Sequence, residues 1–281
     1  MLYAPASNSP EAAGREMTDE YVYDFTPGTT PLLVSIPHDG RAIPDDVAAR
    51  MTDAARAIPD TDWHVRRLYD FAAALGAGVL AARYSRYVVD LNRDPDGAAL
   101  YPGADNTEIV PLATFDREPV YRPGAEPDGE ETAGRIARFW RPYHRRLAAE
   151  LGALRERHGL ALLFDAHSIR SVVPRFFEGR LPDFNFGTAR GASADAGLAA
   201  AAFHVLASAE GYSSVDNGRF TGGYITRTHG APADGVHAIQ LELTQRSYMN
   251  EAPPFDYRPD LAAGVKPVLR DLLAAMIDWA G

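Results

Sequence analysis

Two histidines stand where apolar, strand-like runs break off: His38 at the end of LLVSIPHDG and His167 in LALLFDAHS. A buried strand of an α/β sheet reads as a continuous apolar run, and ligands gather beyond the ends of such strands. Either histidine alone would read as a surface-loop residue, but both follow runs that belong inside a sheet. Two imidazoles brought to sheet ends from distant points of the chain suit a metal site assembled by the fold. The chain has no cysteine, so a metal must be held by His, Asp or Glu. Zinc in a hydrolase keeps three protein ligands and one open position, and the third ligand here is expected to be a carboxylate. No Glu stands three residues after His38, where Arg41 is found. Asp60 and Asp62, opening the next helical segment, are the nearest good candidates, and either could instead cap that helix. Asp62 is favoured; Asp60 and Asp39 are the alternatives, Asp39 being poorly set to chelate beside His38. His229, in a Gly-flanked loop, is a reserve candidate. His64, His144, His158 and His204 read as surface or packing residues of helices, and His237 lies in a late strand.

A second group of residues is RYVVDLNR, in which a strand-like run over 86–91 leads into Asn92 and Arg93. A guanidinium grips a carboxylate through two parallel hydrogen bonds, and a neighbouring amide adds a donor. The competing reading pairs Arg93 with Asp94 or Asp96. In VHAIQLEL, Gln240 and Glu242 share one face and Ile239, Leu241 and Leu243 the other. A carboxylate in so apolar a strand is costly unless paired or functional, and Glu242 is suited to act as general base toward a metal-bound water.

The elements that must position these residues follow from the apolar pattern. The chain of 281 residues, 46% of them hydrophobic, suffices for a substantial core. No Pro/Gly/Ser linker divides it, so residues 20–281 are expected to form a single domain after a flexible extension over residues 1–19. Strands are expected at 21–25, 32–36, 78–83, 86–91, 160–166 and 236–243, and helices at 45–57, 62–76, 130–157, 194–209 and 259–279. Pro142 should kink or split the 130–157 helix. Loops are expected through residue 128 and over 172–192. Alternating strands and helices predict an α/β sandwich, a mixed sheet covered on both faces. The net charge of −10 argues against nucleic acid and anionic membranes as partners. No signal peptide or membrane-length apolar run is seen, so a cytoplasmic protein is expected.

The segments LLVSIPHDG, DTDWHVRRLYDF, ARYSRYVVDLNR, LLFDAHSIRS, FFEGRLPDFNFGT, NGRFTGGYITR and GVHAIQLELTQRSYM, in this order from about residue 20 to 251, resemble the N-formylglutamate amidohydrolase family. The resemblance implies a three-layer sandwich with a mixed central β-sheet, related to zinc carboxypeptidases and aspartoacylases. It implies hydrolysis of N-formyl-L-glutamate, a small dianion, to formate and L-glutamate, the last step of a histidine degradation route. It makes His38 and His167 the first and last zinc ligands, Asn92 and Arg93 a carboxylate clamp, Arg86 the group that polarises the scissile carbonyl, and Glu242 the base. Arg41 departs from the relatives' His-x-x-Glu pair and leaves the middle ligand to Asp62 or its neighbours. Arg170, Arg219 and Arg227 are candidates for reading the second substrate carboxylate. Alternatives are a related deacylase or carboxypeptidase-like hydrolase, or a non-catalytic binding protein of the same fold.

Overall fold

The computed structural model describes residues 21–281, and the extension expected over 1–19 lies outside the described residues. Its centre is a mixed sheet of β1 (Tyr23–Thr26), β2 (Leu32–Ile36), β3 (Gly78–Ala82), β4 (Ala161–Ile169), β5 (Phe184–Gly187), β6 (Ser214–Asp216) and β7 (Val236–Thr244). The spatial order is β1-β3-β2-β4-β7-β5-β6. The central run β3-β2-β4-β7 is parallel, while β1 and β5 join it antiparallel.

Period-two alternation explains why both faces are buried. On one face Val34, Phe164, Ile239 and Leu241 meet helices α6 (Ala196–Ala207) and α8 (Pro259–Ala280) through Leu198, Leu206, Leu269 and Leu272. On the other, Leu33, Leu80, Leu163 and Ala238 meet Tyr143, Leu147, Leu151 and Leu154. The result is the expected α/β sandwich.

The covering helix on that second face begins as α4 (Gly129–Arg135), passes through a π-helical segment, Ile136–Trp140, and continues as α5 (Arg141–His158). The expected break at Pro142 is present: proline has no N–H for the carbonyl one turn back, so the hydrogen-bond register slips just before it.

Several expectations need correction. Residues 86–91 form no strand: Val88 N–H donates to Ser85 O and Asp90 N–H to Ile109 O, so this buried apolar run is a set of turns with no sheet ladder. A short apolar run reports burial and cannot report conformation. The 45–57 helix is two short ones, α1 (Asp45–Ala48) and α2 (Asp53–Arg56), separated where Met51 bridges Tyr121. The 62–76 segment holds α3 (Val65–Leu68) and a 3-10 turn, Ala72–Leu75, ended by Gly76 at φ +73. Strand β5, inside the presumed 172–192 loop, strand β6, and helix α7 (Tyr224–His229) were not foreseen. Each is six residues or fewer, too short to show a period.

The face under α5 changes character along the strands. Leu33, Leu163 and Ala238 give way to Ser35, Asp165 and Gln240, and then to His167 beside Glu242. The register pairs Asp165 with Gln240 and His167 with Glu242 on parallel neighbours. The core therefore runs directly into a polar patch at the carboxyl ends of β2, β4 and β7, where α/β sheets bind ligands.

Candidate active site

His38 lies two residues beyond β2, His167 within β4, and Asp62 in the turn leading to α3. One ligand atom from each falls within 4.8 Å of the others, and all three side chains are buried. Nδ1 of His167 is 3.1 Å and Nδ1 of His38 is 3.8 Å from Asp62 Oδ2. Tetrahedral zinc with bonds of ~2.0–2.2 Å separates its ligand atoms by distances of this order. Of the three carboxylates considered, only Asp62 joins the cluster. Asp39 instead accepts the His64 and Arg66 amides at the start of α3, and Asp60 accepts from the Tyr87 hydroxyl and the Phe115 amide.

The other nitrogen of each imidazole is held by a carboxylate that the sequence reading did not single out. His38 Nε2 is 2.8 Å from Asp90 Oδ1, and His167 Nε2 is 2.8 Å from Asp165 Oδ2. A carboxylate accepts, so each Nε2 carries a proton, and each Nδ1 is turned toward Asp62. Such carboxylate–histidine pairs are the usual outer support of a metal-ligating imidazole. The signal for both residues was an aspartate inside an apolar run, two residues before Asn92 and His167 respectively.

Burial disfavours charge on both carboxyls, yet His167, His38 and Arg86 hold Asp62 below the ordinary range, and Arg86, His38 and Arg93 hold Asp90 far below it. Burial with help from Arg86 lowers the His38 pKa. Burial also works against a charged His167, but Asp165 and Asp62 prevail and raise its pKa well above the ordinary value. Asp62 and Asp90 thus share the buried Arg86 guanidinium, Asp165 faces His167, and the donor set suits a divalent cation.

Arg86 donates to Asp90 Oδ2 at 2.7 Å, lies 3.6 Å from Asp62 Oδ1 and stacks on Phe115. Asn92 Oδ1 accepts the Ile225 amide at 2.8 Å and so caps the start of α7, while its Nδ2 lies against His167 and Asp165. Only glycine fits at 223, since a Cβ there would come within 2.1 Å of the Asn92 amide. The Asn92 side chain is thereby engaged at both ends. The backbone around it is gripped from the covering helix: Trp140 Nε1 donates to Arg93 O at 3.1 Å, and His144 Nε2 to Leu91 O at 2.8 Å.

Arg93 pairs with neither Asp94 nor Asp96. Its guanidinium donates to Thr107 and to Asn92 O, and no carboxylate lies within ion-pair distance of it among the described residues. Glu242 faces the same cleft from β7. Burial, with Asp62 and Asp165 nearby, pushes its pKa up to about 8.

The cleft is lined by His38, Arg86, Asn92, Arg93, Tyr101, Phe115, His167, Arg219, Gln240 and Glu242 among others. Arg219 is part of its wall. Arg227 stands behind Tyr101 in an adjoining pocket, and Arg170 pairs with Asp116 at 2.9 Å outside the lining. His229 contacts His144 at 3.3 Å and does not join the cluster.

The chain is similar to known proteins along most of its length. The family model for N-formylglutamate amidohydrolase matches residues 30–249. The N-formylglutamate deformylase of Pseudomonas aeruginosa is 54% identical over 258 residues, covering 92% of this chain and 97% of that protein. Its counterpart from Pseudomonas putida is 52% identical, covering 92% and 96%. The crystal structure of N-formylglutamate amidohydrolase from Ralstonia eutropha has the same fold, with a TM-score of 0.75 at 24% identity over 92% of this chain and 97% of that one.

Two expectations arise from this site. Metal-free protein should bind one zinc ion per chain in a chelator competition, and His167→Ala should abolish that binding. Asp90→Asn and Asp165→Asn should weaken it by about 10–100-fold. Full zinc occupancy in purified His167→Ala would remove the cluster as the metal site.

The second concerns pH. A native Glu242 pKa of about 8 lies above its unfolded value near 4.5, so the native state binds the extra proton between them. Its contribution to stability is present below that window and is lost as pH rises through 8. Metal-free Glu242→Gln should therefore gain stability over the parent between pH 5 and pH 8, by on the order of a few kcal/mol in urea unfolding. A pH-independent difference would contradict this.

Proposed function

The chain belongs to the N-formylglutamate amidohydrolase family, and we propose that it hydrolyses N-formyl-L-glutamate to formate and L-glutamate with one bound zinc ion. The observation that carries the reading is the buried His38–Asp62–His167 cluster opening on a cleft that also holds Glu242 and the unpaired Arg93. When bound by these three side chains, zinc supplies Lewis acidity and lowers the pKa of a water toward about 7.

The chain's own residues do the rest. Glu242, paired in register with His167, takes a proton from the attacking water and delivers it to the departing amide nitrogen. The water oxygen joins the formyl carbon as the C–N bond breaks, giving formate and the free amine. Arg86, fixed on Asp90 and Phe115, offers N–H groups to the carbonyl oxygen as charge develops there. Arg93 grips a substrate carboxylate, and Asn92 holds the start of α7 beside it through its Oδ1.

Residues 20–281 are taken as one metallohydrolase domain, since the family match and the whole sheet fall inside that range. Formate and L-glutamate are the products expected of the last step in a histidine degradation route in the cytoplasm. A non-catalytic binder would need neither the metal-competent cluster nor a base beside it.

Zinc-loaded Glu242→Gln should keep its metal and lose about a hundredfold to ten-thousandfold in formate release. Activity within a few-fold of the parent would move the base elsewhere. Arg93→Lys should lower kcat/KM on N-formylglutamate by about thirtyfold or more, because an ammonium cannot reproduce two parallel bonds. A value near the parent's would take Arg93 out of the site.

A further inference from the structure

N-Formylglutamate carries two carboxylates, and the reading above uses Arg93 for one of them. We propose that Arg219 is the specificity-determining residue that binds the side-chain carboxylate of the substrate, Arg93 being left to the carboxylate next to the scissile amide. This assignment rests on the deformylase reading and deepens it.

Three observations separate Arg219 from the other arginines nearby. First, its hydrogen bonding leaves a fork free. Nε donates to Phe176 O at 2.8 Å, no other hydrogen bond of the guanidinium is seen among the described residues, and neither is an ion pair. Both terminal nitrogens are thus available for a bidentate carboxylate. Arg227 lacks that freedom, because Nε, Nη1 and Nη2 donate to Gly222 O, Leu100 O and Thr221 Oγ1. Arg170 is neutralised by Asp116.

Second, the guanidinium is held in a fixed plane. It lies 4.7 Å from the Tyr101 ring centroid, 5.4 Å from Phe220 and 5.7 Å from Phe176. Aromatic faces on several sides restrict the rotation of this half-buried side chain. Third, the charges match. Arg219 and Arg93 both line the cleft, and neither has a carboxylate partner among the described residues, whereas the lining Asp105 is paired with Arg175 and Arg117. Two unneutralised guanidinium groups in one small cleft suit a dianion.

Connectivity then divides the two roles. Arg93 follows Asn92, whose amide touches His167, so it serves the carboxylate nearest the reacting carbon. Arg219 sits against Tyr101 and Phe176, where the longer arm of the substrate can reach.

The test compares N-formylglutamate with its neutral isostere N-formylglutamine on zinc-loaded full-length protein. The ratio of their kcat/KM values should fall by about tenfold to a hundredfold in Arg219→Gln, with a far smaller loss on N-formylglutamine than on N-formylglutamate. Arg219→Lys, which keeps the charge but not the fork, should lower the ratio severalfold and supplies the answer if the glutamine variant fails to fold. A parental ratio in either folded variant, or equal losses on both substrates in both variants, overturns the assignment and leaves Arg219 as a brace for the aromatic wall. Absence of formate release from N-formylglutamate by the parent protein overturns the deformylase reading and this assignment together.

Discussion

The site is organised by carboxylates that have been taken out of water. Asp90 and Asp165 are fully buried, and Asp62 nearly so. An isolated carboxylate in that position would cost many kcal/mol or would protonate, so each must be met by donors and cations. Asp90 illustrates the consequence: it accepts from His38 Nε2 and the Asn92 amide through one oxygen and from Arg86 through the other. Satisfying one anion therefore fixes an imidazole, a guanidinium and a backbone turn at once. Removing any donor would leave the burial cost exposed, which gives the arrangement its rigidity.

That rigidity depends on the scaffold beneath it. The parallel strands β2 and β4 bring Ser35 alongside Asp165, and Tyr143 from α5 contacts Ser35 at 3.0 Å. The same helical layer reaches over the turn at 91–93 through Trp140 and His144, whose rings stack 3.8 Å apart. The π-helical segment ends at Trp140, so the register slip forced at Pro142 falls where the helix must meet that turn. Burial keeps His144 uncharged, its pKa pulled down to about 3, so its Nε2–H serves as a neutral donor at physiological pH.

Much of the site was legible from residue type and position. His38 and His167 were visible because apolar runs break off at them, although β4 itself continues past His167 to Ile169. Glu242 was visible because a lone carboxylate in an apolar strand requires a reason. Asp90 and Asp165 carry the same signal but sit beside more conspicuous residues, and their roles depend on which imidazole nitrogen they face, which only three-dimensional geometry gives. The 86–91 run misled for a related reason: Val88, Val89 and Leu91 are buried with Ile136–Trp140 and α5, and Tyr87 with Met51, Val120 and Tyr121, without any strand pairing of their own. Strand β5 escaped notice because four residues, FNFG, cannot display a period.

The remaining tension is between the charge of the chain and that of the ligand proposed for it. A formal charge of −10 repels a dianion at long range. Salt confines that repulsion to about 8 Å at physiological ionic strength, whereas groups inside a cleft interact with little screening. The balance is then set locally, by Arg93 and Arg219, which have no carboxylate partners, and by the cation that Asp62, Asp90 and Asp165 call for. Asp105, in the cleft wall, is paired with Arg175, and Asp116 nearby with Arg170. Neutralising the rim while leaving two guanidinium groups free inside lets an acidic protein present a positive pocket. Discrimination follows from the same arrangement: a monoanion or neutral ligand would leave one guanidinium of the cleft unmatched, a loss that a small substrate has few other contacts to offset.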